Sequence, residues 1–172
     1  MSFPYIVFDR DGTLIELVPY LSKFTEVKFK RDVFKSLHIL GKRGYRFGIV
    51  SNQSVIGRKI ATKETIDNIN EKIVEMIWKY SNVKVDFVRI CPHLPEDNCM
   101  CRKPNPGLLT EAITKFDIDC ERSYMVGDSE SDIDFGKHFG LTTILIKETK
   151  INFSTGANFV VSHFSQITEF IE

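Results

Sequence analysis

The chain has 172 residues, 42% of them hydrophobic and 27% charged, which suits one ordinary domain and is too short for two full ones. Twenty-three Lys and Arg balance twenty-three Asp and Glu, and this zero net charge excludes nucleic-acid binders that rely on a broad basic surface, as well as polybasic membrane anchors. No apolar run approaches the roughly 18–20 residues of a membrane span, and the start, MSFPYIVFDRDG, lacks a basic region and a cleavage site. The expectation is a soluble, cytoplasmic, single-domain protein over residues 1–172.

In chain order, Tyr5-Ile-Val-Phe8 reads as a buried strand that ends abruptly in Asp9-Arg-Asp-Gly12. From Asp32 to Gly41 the helical period puts Val33, Leu37 and Leu40 on one face, with Gly41 and Gly44 as stop signals. Tyr45 to Val50 is a second strand, ending at Ser51-Asn52-Gln53. Thr62 can cap a long helix in which Ile66, Ile69, Ile73, Ile77 and Tyr80 recur every three or four residues. Val85 to Ile90 is the third strand. Pro106 to Phe116 is helical, with Leu109, Ala112, Ile113 and Phe116 toward the core. Tyr124 to Val126 is a short strand ending in Gly127-Asp128-Ser129, followed by a helix from Ser131 to Phe139 and a strand from Thr143 to Ile146. Phe159 to Val161 and Gln166 to Ile171 add a last edge strand and a helix. Alternating strands and helices at these spacings imply an α/β fold: a three-layer, Rossmann-like arrangement with a mostly parallel central sheet. Ligands in such folds sit at the carboxyl ends of the strands, where three polar clusters of this sequence fall.

Asp9 and Asp11 flank Arg10 and precede Gly12. If extended backbone persists through Asp11, both carboxylates point to the same side; as a plain turn, Asp-Gly would also be ordinary. As a pair, one can attack as a nucleophile while the other moves protons. Their repulsion, with Asp128 at the same sheet edge, calls for a cation, and magnesium suits a few carboxylates plus a phosphate. Asp132 by itself reads as an acid favoured at a helix start. Ser51 and Lys103 could neutralise a transferring phosphoryl group. Cys91-Pro-His93, followed after a five-residue spacer by Cys99-Met-Cys101, offers four ligands within eleven residues; with no open position, that set suggests structural zinc rather than catalytic zinc. The zinc would pin the loop presenting Arg102 and Lys103. Cys120 stands outside the cluster.

Asp9-Arg-Asp-Gly-Thr13, Ser51-Asn-Gln53, Arg102-Lys-Pro104 and Val126-Gly-Asp-Ser-Glu-Ser-Asp132 resemble, in order, the four motifs of the haloacid dehalogenase superfamily of phosphatases. The segment from Cys91 to Pro104 resembles the zinc loop of the D-glycero-D-manno-heptose 1,7-bisphosphate phosphatases and of the related histidinol-phosphatase domain. The resemblance implies Asp9 as a nucleophile forming an aspartyl-phosphate, Asp11 as general acid and then base, and Ser51 and Lys103 as phosphoryl ligands. Asp9, the Asp11 backbone carbonyl and Asp128 would hold magnesium. Tyr20, Asn52, Gln53, Ser54, Arg58, Arg102 and Ser129 would bind substrate. The expected reaction is hydrolysis of the 7-phosphate of the heptose bisphosphate, with histidinol phosphate or another small sugar phosphate as the alternative. A small phosphorylated metabolite is then the expected partner, with no nucleic acid or membrane, and the chain is expected to be a monomer. The spacing leaves no room for a large cap domain, so specificity falls to residues 14–24, 53–60 and the zinc loop. A receiver-type signalling domain would lack the Asp-x-Asp pair and the zinc loop; a zinc-stabilised binding module would not need the full set of catalytic groups.

Overall fold

In the computed structural model of the chain, which describes residues 2–148 and 155–172, six strands form one parallel sheet. They are β1 (Tyr5–Phe8), β2 (Arg46–Asn52), β3 (Val85–Cys91), β4 (Tyr124–Gly127), β5 (Thr142–Ile146) and β6 (Phe159–Val161), in the order β3-β2-β1-β4-β5-β6. Successive strand residues face opposite sides, and all four residues of β1 are buried. Ile6 and Phe8 join one core while Tyr5 and Val7 join the other. That is why β1 is apolar without alternation and sits in the middle of a sheet covered on both faces.

The larger core lies under α1 (Val33–Lys42), α3 (Lys63–Ser81) and the short α6 (Ile167–Phe170), and Val55 of the single turn α2 (Ser54–Gly57) joins it. The second core lies under α4 (Gly107–Lys115) and α5 (Glu130–His138). Val33, Leu37 and Leu40 of α1 are buried as their period predicts, and so are Ile66, Ile69, Ile73 and Ile77 of α3. Thr62 caps α3, its hydroxyl accepting from the Thr65 N–H at 3.1 Å. Tyr80 departs from the expected stripe: it is exposed, and its ring covers Phe34 at 5.2 Å. On α4 the buried residues are Leu108, Leu109 and Ala112, while Ile113 and Phe116 lie at the margin of the core.

Two connections could have carried a cap. Residues 9–32 hold only isolated bridges and one turn of 3-10 helix at Phe24–Glu26, and residues 53–62 hold only α2. No cap domain is present in either segment, so the strand ends stay open. No helix among the described residues is long and apolar enough to cross a membrane.

Candidate active site

β1 lies between β2 and β4, so the sheet itself brings the residues after Phe8, Val50 and Val126 together. The Asp9 N–H still donates to the Val126 carbonyl at 2.9 Å, but then the chain turns. The Leu14 and Ile15 N–H groups donate back to the Arg10 carbonyl, and Gly12 takes φ +85°. Extended backbone therefore does not persist through Asp11, and the two carboxylates have different surroundings.

Asp9 meets Lys103. The ammonium donates to Asp9 Oδ1 at 2.6 Å and to the Val50 carbonyl at 2.9 Å, and it pairs with Asp132 Oδ1 at 2.7 Å. Lys103 comes from the loop between β3 and α4, and Asn52 clips it there. The Asn52 amide accepts from the Lys103 N–H at 3.0 Å and donates to the Lys103 carbonyl at 3.2 Å. Lys103 is 4% exposed and Asp132 1%, so these charges are out of water.

Carboxylate oxygens of Asp9, Asp128 and Asp132 lie within 4.8 Å of one another. Of the three acids, Asp9 and Asp132 pair with the Lys103 ammonium. Burial, reinforced by Asp132 and Asp11 against the pull of Lys103, pushes the Asp9 carboxyl up to about 8. Asp128 is raised too, chiefly by burial and then by Asp132. For Lys103, burial acts downward, but Asp9 and Asp132 together hold its ammonium above the usual lysine value. Burial is the main cause of the two carboxyl shifts, and the neighbouring acids add to it. An all-oxygen donor set with excess negative charge fits a hard divalent cation such as magnesium. Two glycines make the room: a Cβ on Gly12 would stand 2.1 Å from Asp128 Oδ2, and one on Gly127 would stand 2.3 Å from Asp132 Cβ.

The Asp11 carboxylate lies in a polar nest beside this cluster. It accepts from Arg10 at 2.9 and 3.1 Å, from Gln53 Nε2 at 2.7 Å and from the Ser51 hydroxyl at 3.3 Å. A small cleft of about 170 Å³ opens there, lined among others by Asp11, Tyr20, Asn52, Gln53 and Ser54. Tyr20 is exposed at φ +55°, and the Arg58 guanidinium lies 5.6 Å from its ring centre. Arg102 donates to the His93 carbonyl at 3.3 Å, which ties it to the cysteine loop. Ser129 begins α5: its hydroxyl and its N–H both donate to Asp132 Oδ2, at 2.6 and 3.1 Å. Its hydroxyl thus also closes the helix start.

The cysteine loop gathers its four predicted ligands. Cys91, Cys99 and Cys101 have their sulfurs 3.2–3.5 Å apart, and His93 Nδ1 lies 3.2 Å from Cys101 Sγ and 3.6 Å from Cys91 Sγ. Edges of a tetrahedron with about 2.3 Å zinc–sulfur bonds run near 3.7 Å. The three cysteines are free thiols and the donors are soft, so the cluster fits zinc. Cys120 lies outside it.

Sequence reasoning left three residues out of the site. Asp132 reads as a helix-start acid, yet the Gly127-Asp128 turn, four residues earlier, carries it into the cluster. Arg10 and Asn70, joined at 2.6 Å, are both buried. For Asn70 the available signal was a polar residue inside the apolar face of α3.

A family model described as HAD-hydrolase-like matches residues 100–159. The chain is 34% identical over 128 residues to the D-glycero-β-D-manno-heptose-1,7-bisphosphate 7-phosphatase of Helicobacter pylori strain J99, covering 74% of each. It is 36% identical over 155 residues to the histidine biosynthesis bifunctional protein HisB of Buchnera aphidicola, covering 88% of this chain but only 43% of that protein. The fold matches, with a TM-score of 0.85 over 97% of both chains at 23% identity, the crystal structure of D,D-heptose 1,7-bisphosphate phosphatase from B. bronchiseptica complexed with magnesium and phosphate. The chain belongs to the haloacid dehalogenase-like family of hydrolases, among its phosphatases.

Proposed function

We propose that the chain is a magnesium-dependent phosphatase that removes the 7-phosphate of D-glycero-D-manno-heptose 1,7-bisphosphate through an aspartyl-phosphate on Asp9. The observation that carries the reading is the buried cluster of Asp9, Lys103, Asp128 and Asp132, with Asp11 beside it at an open cleft. Magnesium held by Asp9 and Asp128, with the Asp11 backbone carbonyl, would offset the repulsion between the Asp9 carboxylate and an incoming phosphoryl group. Asp9 attacks phosphorus, and the bond from phosphorus to the sugar oxygen breaks. Asp11 gives its proton to that leaving oxygen. Asp11 then takes a proton from water, which attacks phosphorus and releases Asp9 and inorganic phosphate. Lys103 and the Ser51 hydroxyl face the phosphoryl oxygens, where charge-assisted hydrogen bonds in a water-poor site are strongest.

Asn52, Gln53, Ser54, Tyr20 and Arg102 are proposed to meet the sugar, and Arg58 to meet its second phosphate. Ser129, which also bonds Asp132, is proposed to meet the substrate beside them. Zinc on Cys91, His93, Cys99 and Cys101 is structural in this reading, holding the loop that delivers Arg102 and Lys103. The chain then acts as one domain and as a monomer on a small metabolite in the cytoplasm. Histidinol phosphate is the second reading, supported by the likeness to the bifunctional histidine-biosynthesis protein.

The test is kcat/KM on both substrates, with Asp9→Asn as the control. The heptose bisphosphate is expected to be preferred by orders of magnitude, since polar groups left unpaired by the wrong substrate discriminate strongly. A value for histidinol phosphate equal to or above it would reverse the choice. Turnover by pure Asp9→Asn would overturn the mechanism.

A further inference from the structure

We propose that Asn70, on α3 and outside the cleft, is a positioning residue that acts through Arg10 to aim the Asp11 carboxylate. The proposal rests on the phosphatase reading, in which Asp11 is the general acid.

Arg10 is the largest fully buried side chain among the described residues, 1% exposed. Its guanidinium brings a positive charge and five N–H donors. A buried cation of this kind is strongly unfavourable unless it is paired and hydrogen-bonded. The pairing is to Asp11, by two parallel bonds: Nε to Oδ2 at 2.9 Å and an NH2 proton to Oδ1 at 3.1 Å. A fork-to-fork contact fixes the plane of the carboxylate as well as its place. The same NH2 donates to Gln53 Oε1 at 2.9 Å, and Gln53 Nε2 donates to Asp11 Oδ2 at 2.7 Å, which closes a ring.

Every contact so far comes from a loop of the active site. The exception is NH1, which donates to Asn70 Oδ1 at 2.6 Å. Asn70 is 6% exposed and sits among Ile66, Ile69, Ile73 and Ile77 on a nineteen-residue helix. At that position packing and helix propensity both favour an apolar residue. What Asn70 supplies is an acceptor at the back of Arg10, mounted on a rigid element. With NH1 held, the fork can neither swing nor withdraw, and the acid keeps its aim. A carboxylate about 1 Å off line can cost a reaction on the order of a hundredfold.

Satisfying a buried arginine would be reason enough for Asn70 in a purely structural role. The two roles separate by leaving group. A sugar alkoxide must receive the Asp11 proton as it departs, whereas 4-nitrophenolate leaves without one. The experiment measures kcat/KM, which reports the step up to phosphoryl transfer, for a sugar phosphate and for 4-nitrophenyl phosphate. It compares wild type, Asn70→Leu and Asn70→Asp. Asn70→Leu is expected to lose roughly tenfold or more on the sugar phosphate and less than about threefold on the aryl ester. Asn70→Asp, which keeps the acceptor, is expected to restore the sugar-phosphate rate to within about threefold. If Asn70→Leu does not fold, Asn70→Ser, too short to reach Arg10, gives the same ratio. Equal losses on both substrates, or no loss, overturn the positioning role while wild-type turnover still supports the phosphatase reading. A wild type inactive on both substrates takes down the phosphatase reading and the positioning role together.

Discussion

Gly12→Ala tests the geometry of the cation site with a single methyl group. Two costs can be worked out separately. First, Gly12 has φ +85°, where an L-residue costs about 1–2 kcal/mol of backbone strain. At the size of this chain that lowers Tm by about 2–8 °C. Second, the new Cβ would stand 2.1 Å from Asp128 Oδ2 and 2.7 Å from its Cγ, so the carboxylate must retreat by about an ångström to restore ordinary contact. Magnesium demands oxygens at about 2.0–2.1 Å in near-octahedral order, so a displacement of that size removes Asp128 from the site. The expected result is a loss of at least about a hundredfold in kcat/KM with only a modest fall in Tm. Gly44→Ala is the matched control: φ is +92° there, and no atom lies within 4 Å of the added Cβ. It should show a similar fall in Tm and unchanged activity. Phosphatase assays and thermal melts on both variants decide the matter. Activity in Gly12→Ala within about threefold of wild type would refute the placing of Asp128 at the reacting centre, as would an equal loss in Gly44→Ala.

The sheet was legible because its strands are short apolar runs bounded by polar turns, and parallel strands buried on both faces carry little else. The clusters after Phe8, Val50 and Val126 were legible as one site because neighbouring parallel strands end at the same edge. Other features depended on contacts that sequence spacing does not encode. The turn after Asp9 hangs on carbonyl contacts and on Gly12, so Asp11 could be read as sharing a side with Asp9. Asp132 satisfies the rule for a helix-start acid equally well whether or not Lys103 reaches it. That lysine is twenty-nine residues earlier in the chain and is placed by the Asn52 clip, which no local pattern announces. Tyr80 keeps the period of α3 but falls to one side of the buried stripe, which runs on from Ile77 to Ser81. The bond from the Ser129 hydroxyl to Asp132 likewise follows from a capping pattern that the sequence shows without its partner's role in the site.

Two further expectations concern the metals. Protein isolated without chelators is expected to carry one zinc per chain by elemental analysis. Cys99→Ser should raise KM and lower Tm, because Arg102 and Lys103 lose their anchor; substoichiometric zinc with unaltered KM and Tm in the variant would remove the site. The second concerns stability without magnesium. Asp9 is pushed up to about 8 in the folded protein, against about 3.9 for an aspartate in an unfolded chain. Between those values the folded state keeps a proton that the unfolded state has lost, so stability falls as pH rises. The contribution is whole below about pH 4 and gone above about pH 8, and Asp128, also raised, acts in the same direction. Magnesium held by these acids would take over the role of the proton, and binding to the folded state alone would raise Tm. Its stabilising effect should therefore be small at pH 5, where protons compete, and several-fold larger at pH 8. Thermal melts with and without added magnesium at the two pH values measure this directly. A magnesium shift of equal size at both would show that Asp9 is already ionised at pH 5. Proton and cation would then not compete for Asp9, whereas no magnesium shift at either pH would remove the cation site.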